Sequence, residues 1–526
     1  MSRTPLMQWF QKMFREHAEA EAGRREGPSR RDVLRTVAGA GAASVLASKP
    51  GRAAGGPRIA IVGGGIAGLS AAMTLRDAGY AATVYEASSR IGGRMHSDTT
   101  SWADGQVSEH CGELIDSGHK TILSLAKRFH LTVDDLSSAE PPQSTATYYF
   151  FGQFYPRAQA NQDFNAVYSA IKKDLNAAGY PTLYNNYNAA GLALDNTSMY
   201  DWIETRVPGG HGSPMGQLLD VAYNIEYGAE TKQQSSLSLI YLLGFQSTPG
   251  NFHIFGKSDE RYHIHGGNEQ LPAAIAASLP DGSVRTGMSM TAIERRSDGT
   301  YSLEFRSGSG KSTVTADRVI LALPFSVLRS LDYSGAGFNN VKKTGIQQLG
   351  YGTNSKLHTQ FTQRMWNQAG PWGISNGSSY ADTGYQNTWE VSRAQSGASG
   401  LLVDYTGGNV GASFTGDPAN PTTVHGYAQH FLQQLSPVFP GIAGAWNGRA
   451  TLDVPWRSPY LLGSYAYWKV GQYTGFSGSE KERSGNCHFA GEHCSQDFQG
   501  YMEGGASEGM RAANEILSDY KAGITP

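Results

Sequence analysis

From Arg58 the chain runs Ile59-Ala60-Ile61-Val62, four apolar positions in succession, then Gly63-Gly64-Gly65-Ile66-Ala67-Gly68, then a stretch to about Ala78 with apolar residues at helical spacing. A short apolar run bounded by glycines predicts a buried strand, and the periodic stretch predicts a helix. In a strand–turn–helix unit of this kind Gly63 permits the tight turn, Gly65 lets backbone approach a pyrophosphate, and Gly68 lets the helix pack close on the strand. The helix N-terminus at Ile66 and Ala67 offers free N–H groups and the positive end of the dipole to phosphate. A second predicted strand, Ala82–Tyr85, ends at Glu86, where a carboxylate can accept both hydroxyls of a ribose. Glycine-rich turns are common without any ligand. The flanking strand, helix and terminal acid together are what point to a dinucleotide. Glu86-Ala87-Ser88-Ser89-Arg90-Ile91-Gly92-Gly93-Arg94 then sets more glycines beside an arginine able to fork onto phosphate oxygens.

The pattern changes between about 121 and 256. Amphipathic helical spacing recurs at Phe164–Ala178, Ser198–Arg206, Met215–Tyr227 and Leu237–Leu243, with no alternating strands and no fixed repeat. This reads as a helical insertion. Strand signals return at Ser289–Ile293, at a hairpin of Tyr301–Phe305 against Ser312–Ala316, and at Arg318–Leu321 before Pro324. Lys356 lies just inside a further strand pattern, where a lone lysine is ordinarily a solvated face. The expected divisions are 1–55 (leader), 56–119, 257–345 and 481–520 (three parts of a discontinuous dinucleotide-binding domain), 120–256 (helical) and 346–480 (substrate-binding).

The first 55 residues depart from this pattern. Ser29-Arg30-Arg31-Asp32-Val33-Leu34-Arg35 precedes a small-residue, mildly apolar run, Thr36–Ala47, with small residues again near Gly51–Ala54. This looks like a twin-arginine export signal, and predicts a periplasmic or secreted protein. The apolar run is far short of the ~20 residues a spanning helix needs. The rest of the chain is long enough for more than one core. With 43 Lys and Arg against 45 Asp and Glu, net charge is −2, which leaves no basic footprint for nucleic acid or anionic membrane. The three cysteines, Cys111, Cys487 and Cys494, have neither CxxC spacing nor an even count, so no disulfide framework and no metal site is expected.

The glutamate, short spacer and Gly92-Gly93-Arg94 after the first unit resemble the flavin-containing amine oxidase family. At least four later blocks extend the resemblance over nearly the whole chain beyond the leader. It implies an α/β fold, with a discontinuous Rossmann-like FAD-binding domain, a mixed-sheet substrate domain and a helical insertion, of the amine oxidase/p-hydroxybenzoate hydroxylase-like type. It implies FAD as cofactor, with Gly112, Glu113 and Leu114 in a loop against the flavin, Met290 presenting backbone to the adenine, and Glu492 of Phe489-Ala490-Gly491-Glu492 toward the ribityl or phosphate region. Gly500, Tyr501 and Met502 would open a helix onto the flavin's electron-rich edge. Tyr465 and Tyr501 match the two walls of an aromatic cage around the substrate amine, and Lys356 matches the lysine that aids reaction of reduced flavin with oxygen. Ser464 stands where monoamine oxidases carry the cysteine joined to flavin, so FAD is expected to be noncovalent.

Substrate residues are less well marked. Leu114 stands where snake-venom and fungal L-amino-acid oxidases carry a carboxylate-clamping arginine. Asp116 matches the acid of polyamine oxidases, though an acid at a helix start also answers the dipole. Tyr385, Trp389 and Glu390 fall where the substrate chamber is built, and Tyr148, Tyr149, Phe150 and Phe151 could line the entrance or simply pack in a core. Tyr200–Tyr227 and Tyr380–Tyr385 look like a bacterial exported subgroup, the L-amino-acid oxidases of broad substrate range. The expected reaction is therefore oxidative deamination of an L-amino acid with oxygen. Rivals are a monoamine or polyamine oxidase, a dehydrogenase passing electrons to another acceptor, and a non-redox flavin protein. Oligomeric state is open, with a homodimer one assembly the resemblance allows.

Overall fold

The computed structural model describes residues 56–246 and 249–524; the expected leader, 1–55, lies outside them. At the centre is a five-stranded parallel sheet, in the order Cys487–Phe489, Arg318–Leu321, Ile59–Val62, Ala82–Tyr85, Val284–Arg285. Side chains alternate across a strand, and here both faces are covered. Ile59 and Ile61 enter one core with the Ile66–Asp77, Gln270–Ser278 and Met502–Lys521 helices. Ala60 and Val62 enter a second, against the antiparallel sheet Ser289–Arg295, Tyr301–Ser307 and Gly310–Ala316. Burial on both faces is why the first strand reads as an uninterrupted apolar run.

A seven-stranded mixed sheet runs in the order Trp446–Asp453, Ser355–Phe361, Gly400–Thr406, Asn387–Glu390, Ser375–Ala381, Thr145–Phe150, Gln153–Phe154. Leu357 and Phe361 pack on one side of it with Leu402, Phe431 and Leu432, so Lys356, one residue out of phase with Leu357, faces the other side. The helices Arg157–Ala178, Met199–Arg206, Pro214–Tyr227 and Ser236–Leu243 share a core of Phe164, Ile171, Trp202, Leu218 and Leu239. Ser198, Ser213 and Ser235 cap three of them by accepting from Asp201, Gly216 and Leu237 N–H. Gly228, left-handed at φ 66°, ends the Pro214–Tyr227 helix, as a residue without Cβ does readily.

One expectation within 120–256 fails. Thr145–Phe150 is a strand of the mixed sheet, pairing in parallel with Ser375–Ala381. Its Tyr148 and Phe150 belong to the helical core, and Phe151 is exposed at a turn. None of the run Tyr148–Phe151 lines the cavity described next. Alternation there is masked by four aromatics in succession.

Candidate active site

A cavity of about 770 Å3 runs from the parallel sheet to the mixed sheet and helical insertion, within the size range of ligand sites. At its sheet end it is walled by Gly63, Gly65, Ile66, Ala67, Glu86, Ala87, Ser88, Gly93 and Arg94. Gly63 turns at φ 107°, where a Cβ would stand 2.5 Å from the Ala322 carbonyl oxygen. A Cβ on Gly68 would overlap the Gly63 carbonyl oxygen. Gly68 is buried and does not line the cavity; its place is in helix-to-turn packing, not ligand contact. The Glu86 carboxylate accepts from Gly64 N–H (2.7 Å) and Ser88 N–H (2.8 Å), which holds it at the rim.

Two helices start on this cavity without a side-chain cap, Ile66–Asp77 after Gly65 and Met502–Lys521 after Tyr501. Their first N–H groups are donors looking for an acceptor, unlike those of the serine-capped helices of the insertion. A glycine-walled cradle, two uncapped N-termini and a rim carboxylate form a donor set that fits a dinucleotide of flavin type. Met290, Gly112, Glu113, Leu114, Glu492 and Gly500 also line the cavity.

Arg94 lines the dinucleotide end of the cavity and also braces its wall. Its Nη1 donates to Glu492 Oε1 (2.9 Å) and to the Ser464 carbonyl (2.9 Å). Glu492 in turn accepts from Gly500 N–H at 2.8 Å and Ala466 N–H at 3.2 Å. This pair locks the start of the last helix to the loop carrying Tyr465. Ser464 Oγ donates to Asn354.

The middle of the cavity holds a continuous chain of contacts. Lys356 Nζ reaches Glu113 Oε2 at 2.7 Å and the Glu109 carbonyl at 3.1 Å, both Lys356 and Glu113 being buried. Burial alone would raise the Glu113 carboxyl, but Lys356, with the Trp389 indole N–H (2.8 Å), leaves it below the usual range. Trp389 packs edge-on against Tyr405, the Tyr405 and Tyr465 hydroxyls are 2.8 Å apart, and Tyr465 Oη donates to the Ile225 carbonyl at 3.1 Å. On the other wall, Tyr501 Oη donates to Glu226 Oε1 at 3.2 Å. The end of the Pro214–Tyr227 helix thus anchors both tyrosines. Burial raises both phenols well above their ordinary value, so both stay protonated.

Three expected substrate residues are not on the cavity. Tyr385 is buried against Phe431, with its hydroxyl 2.8 Å from Ser379 Oγ. Glu390 is spent on Arg364 Nε (2.6 Å), Trp366 Nε1 (2.8 Å) and Ser392 Oγ (2.9 Å). Strand alternation explains the loss of Glu390, because Trp389 faces the cavity and Glu390 therefore cannot; Tyr385 lies between the strands Ser375–Ala381 and Asn387–Glu390, where alternation does not apply. Asp116 accepts from Ser258 Oγ and Glu260 N–H, each at 2.9 Å, and its N–H donates to His119 Nδ1 at 3.0 Å. His119 packs edge-on against Tyr501. Asp116 is thus a brace for Tyr501 and for the turn at Glu260, and burial pushes its carboxyl up to about 6.

Beside Glu86, Glu113 and Glu492, two further acids line the cavity, Glu226 and Glu260, and sequence reasoning missed both. Burial, then Glu260, pushes Glu226 up to about 8. Burial, then Asp116, pushes Glu260 up to about 7. Glu226 was hidden in an amphipathic helix, where a charge reads as solvated face. The one local signal was its position two residues before the helix-ending Gly228.

Fold and site together define a flavin-dependent oxidoreductase built to take a small amine. The family model for flavin containing amine oxidoreductases matches residues 66–517, and the chain belongs to that family, with FAD as its cofactor and CH–NH2 groups as the bonds it oxidises. Relatives include the L-amino-acid oxidase of Mus musculus, 23% identical over 89% of this chain and 71% of the relative. The L-amino acid dehydrogenase of a Synechocystis species is 24% identical over 87% of this chain and 94% of the relative. The solved structure of cyclohexylamine oxidase from Brevibacterium oxydans superposes with a TM-score of 0.74 at 20% identity, over 89% of this chain and all (100%) of that one. That structural likeness bears on the fold alone.

Proposed function

We propose that the protein is an L-amino-acid oxidase, converting L-amino acids and oxygen to 2-oxo acids, ammonia and hydrogen peroxide. The observation that carries this reading is the unbroken chain from Lys356 through Glu113, Trp389 and Tyr405 to Tyr465, set in one cavity with the uncapped helix at Tyr501. The relatives named for L-amino acids support the α-amino acid as substrate. Bound FAD would supply the two-electron acceptor for hydride from the substrate carbon and pass those electrons to oxygen. The residues to hold it are Gly63, Gly65, Ile66, Ala67, Glu86, Ala87, Ser88, Gly93, Gly112, Glu113, Leu114, Met290 and Met502, with no covalent bond at Ser464.

The chain's own work is positioning. Tyr465 and Tyr501, tied at their hydroxyls to Ile225 and Glu226, hold the amine between two rings. Lys356, fixed by Glu113, keeps a positive charge beside the reacting region, which favours reduction of oxygen. Export by the twin-arginine route through residues 1–55 completes the reading.

A second reading, oxidation of amines without an α-carboxylate, is favoured by the arginines. Those lining the cavity, Arg90 and Arg94 among the described residues, lie at its dinucleotide end, and position 114 is leucine. The test is anaerobic mixing of the holoenzyme with L-amino acids, their D-enantiomers and their decarboxylated amines while the visible flavin band is followed. Bleaching by the L-acids alone supports the proposal, and bleaching by the decarboxylated amines instead overturns it in favour of the second reading. Peroxide formed in air separates an oxidase from a dehydrogenase.

A further inference from the structure

Glu226 and Glu260 share the cavity with aromatic rings, among them Tyr227, Phe255 and Tyr380. The cationic Lys and Arg side chains that line the cavity are committed elsewhere. Lys356 is paired with Glu113, Arg94 with Glu492, and Arg90 donates to the Ile91 and Gly93 carbonyls. Arg393, near enough to act on Glu260 electrostatically, is paired with Glu140 at 2.9 Å and does not line the cavity. Glu226 has the Tyr501 hydroxyl as its partner. The Glu260 carboxylate has no hydrogen-bond partner among the described residues.

The backbone around Glu260 is also unusual. It adopts a left-handed φ of 45°, a conformation that residues with a Cβ avoid. It is held there by its own N–H donating to Asp116, which also accepts from Ser258. Strain of this kind persists where the surroundings over-determine it, and here its effect is to turn an acid into an enclosed chamber.

We propose that Glu260, assisted by Glu226, is a specificity-determining residue that admits substrates carrying a second cationic group, the side-chain ammonium or guanidinium of a basic L-amino acid. Two enclosed carboxyls without a cation are costly, and a cation delivered by the ligand removes that cost for both at once. The surrounding rings favour the same charge through their faces. An apolar side chain of equal length gains the contact area but leaves the acids uncompensated. The inference rests on the proposed oxidation of an amine in this cavity, and names the kind of amine.

The experiment compares L-lysine with L-2-aminoheptanoic acid, near-isosteres differing in ammonium against methyl, by anaerobic flavin reduction in the holoenzyme. The paired amines 1,5-diaminopentane and hexylamine run alongside. The readout is the ratio of reduction efficiencies within each pair, which a general loss of folding does not move. The wild-type ratio is expected to favour the dication by at least about tenfold, and E260Q to lower that ratio about tenfold, with a smaller fall in E226Q. Equal efficiency within both pairs for the wild type overturns the inference while leaving amine oxidation intact, and this arm stands even where E260Q fails to hold FAD. A ratio unchanged in both variants overturns the assignment to these residues. Absence of bleaching by every amine overturns the proposed function, and this inference with it.

Discussion

The two ends of the cavity are built by opposite strategies. At the sheet end, contacts come from backbone: glycines that let chain segments touch, N–H groups at two uncapped helix starts, and carboxylates already satisfied by neighbours, such as Glu86 on Gly64 and Ser88. At the far end they come from side chains: phenols tied by their hydroxyls, an indole on Glu113, and two acids without a protein cation. A backbone cradle suits a ligand bound in one way for the life of the molecule. Side chains left open suit a ligand that must be chosen, turned over and released. The Lys356–Glu113 pair sits where the two strategies meet.

The comparison breaks most completely at Gly68. Gly68→Val has no room against the Gly63 carbonyl, and costs more than about 4 kcal/mol by the standards of overpacked cores. Protein purified from it is expected to lack flavin, as read from the ratio of visible to ultraviolet absorbance. The next effect lies at the junction. Lys356→Met strands Glu113 as an unpaired buried acid, at about 3–5 kcal/mol, whereas Lys356→Met with Glu113→Gln recovers most of that loss in denaturant melts of the holoenzyme. In stopped-flow traces the single variant is expected to slow reoxidation by oxygen more than reduction by substrate. Reoxidation at the wild-type rate would remove Lys356 from oxygen chemistry.

The acids of the far end set a smaller, pH-dependent effect. Glu226 rises from 4.5 to about 8 on folding, so the stability it contributes is full below pH 4.5 and is lost as pH climbs toward 8. Each such group weakens stability by at most about 1.4 kcal/mol per pH unit within that window. Glu226→Gln is therefore expected to flatten the fall in melting temperature between pH 5 and 8, a window set by the same shift. A slope equal to wild type would show that Glu226 ionises normally. The smallest change is Tyr465→Phe, which keeps the ring and removes the bonds to Tyr405 and Ile225. It is expected to cost about 1 kcal/mol of positioning, seen as a several-fold loss in kcat/KM with FAD retained.

The dinucleotide end was legible because its information is local. Strand, turn, helix and terminal acid occupy one short run from Ile59 to Glu86, and Gly63, Gly64 and Gly68 each answer a close contact within that run or beside the adjacent strand. Lys356, Tyr465 and Tyr501 carried no such signal of their own, and became visible through the resemblance of whole blocks. The resemblance also led to Asp116, Tyr385 and Glu390, which the structure sets behind the cavity wall.

What the chain determined by itself, then, is the class of cofactor site, because periodicity and glycine spacing act over a few residues. What only the tertiary structure decided is which charges face the substrate. Glu226 comes from the last turn of an insertion helix, Glu260 from a strained turn braced by Asp116, and Tyr501 from the start of the final helix. They meet because three separate cores pack around one void, and no short-range pattern encodes which side of a wall an acid falls on.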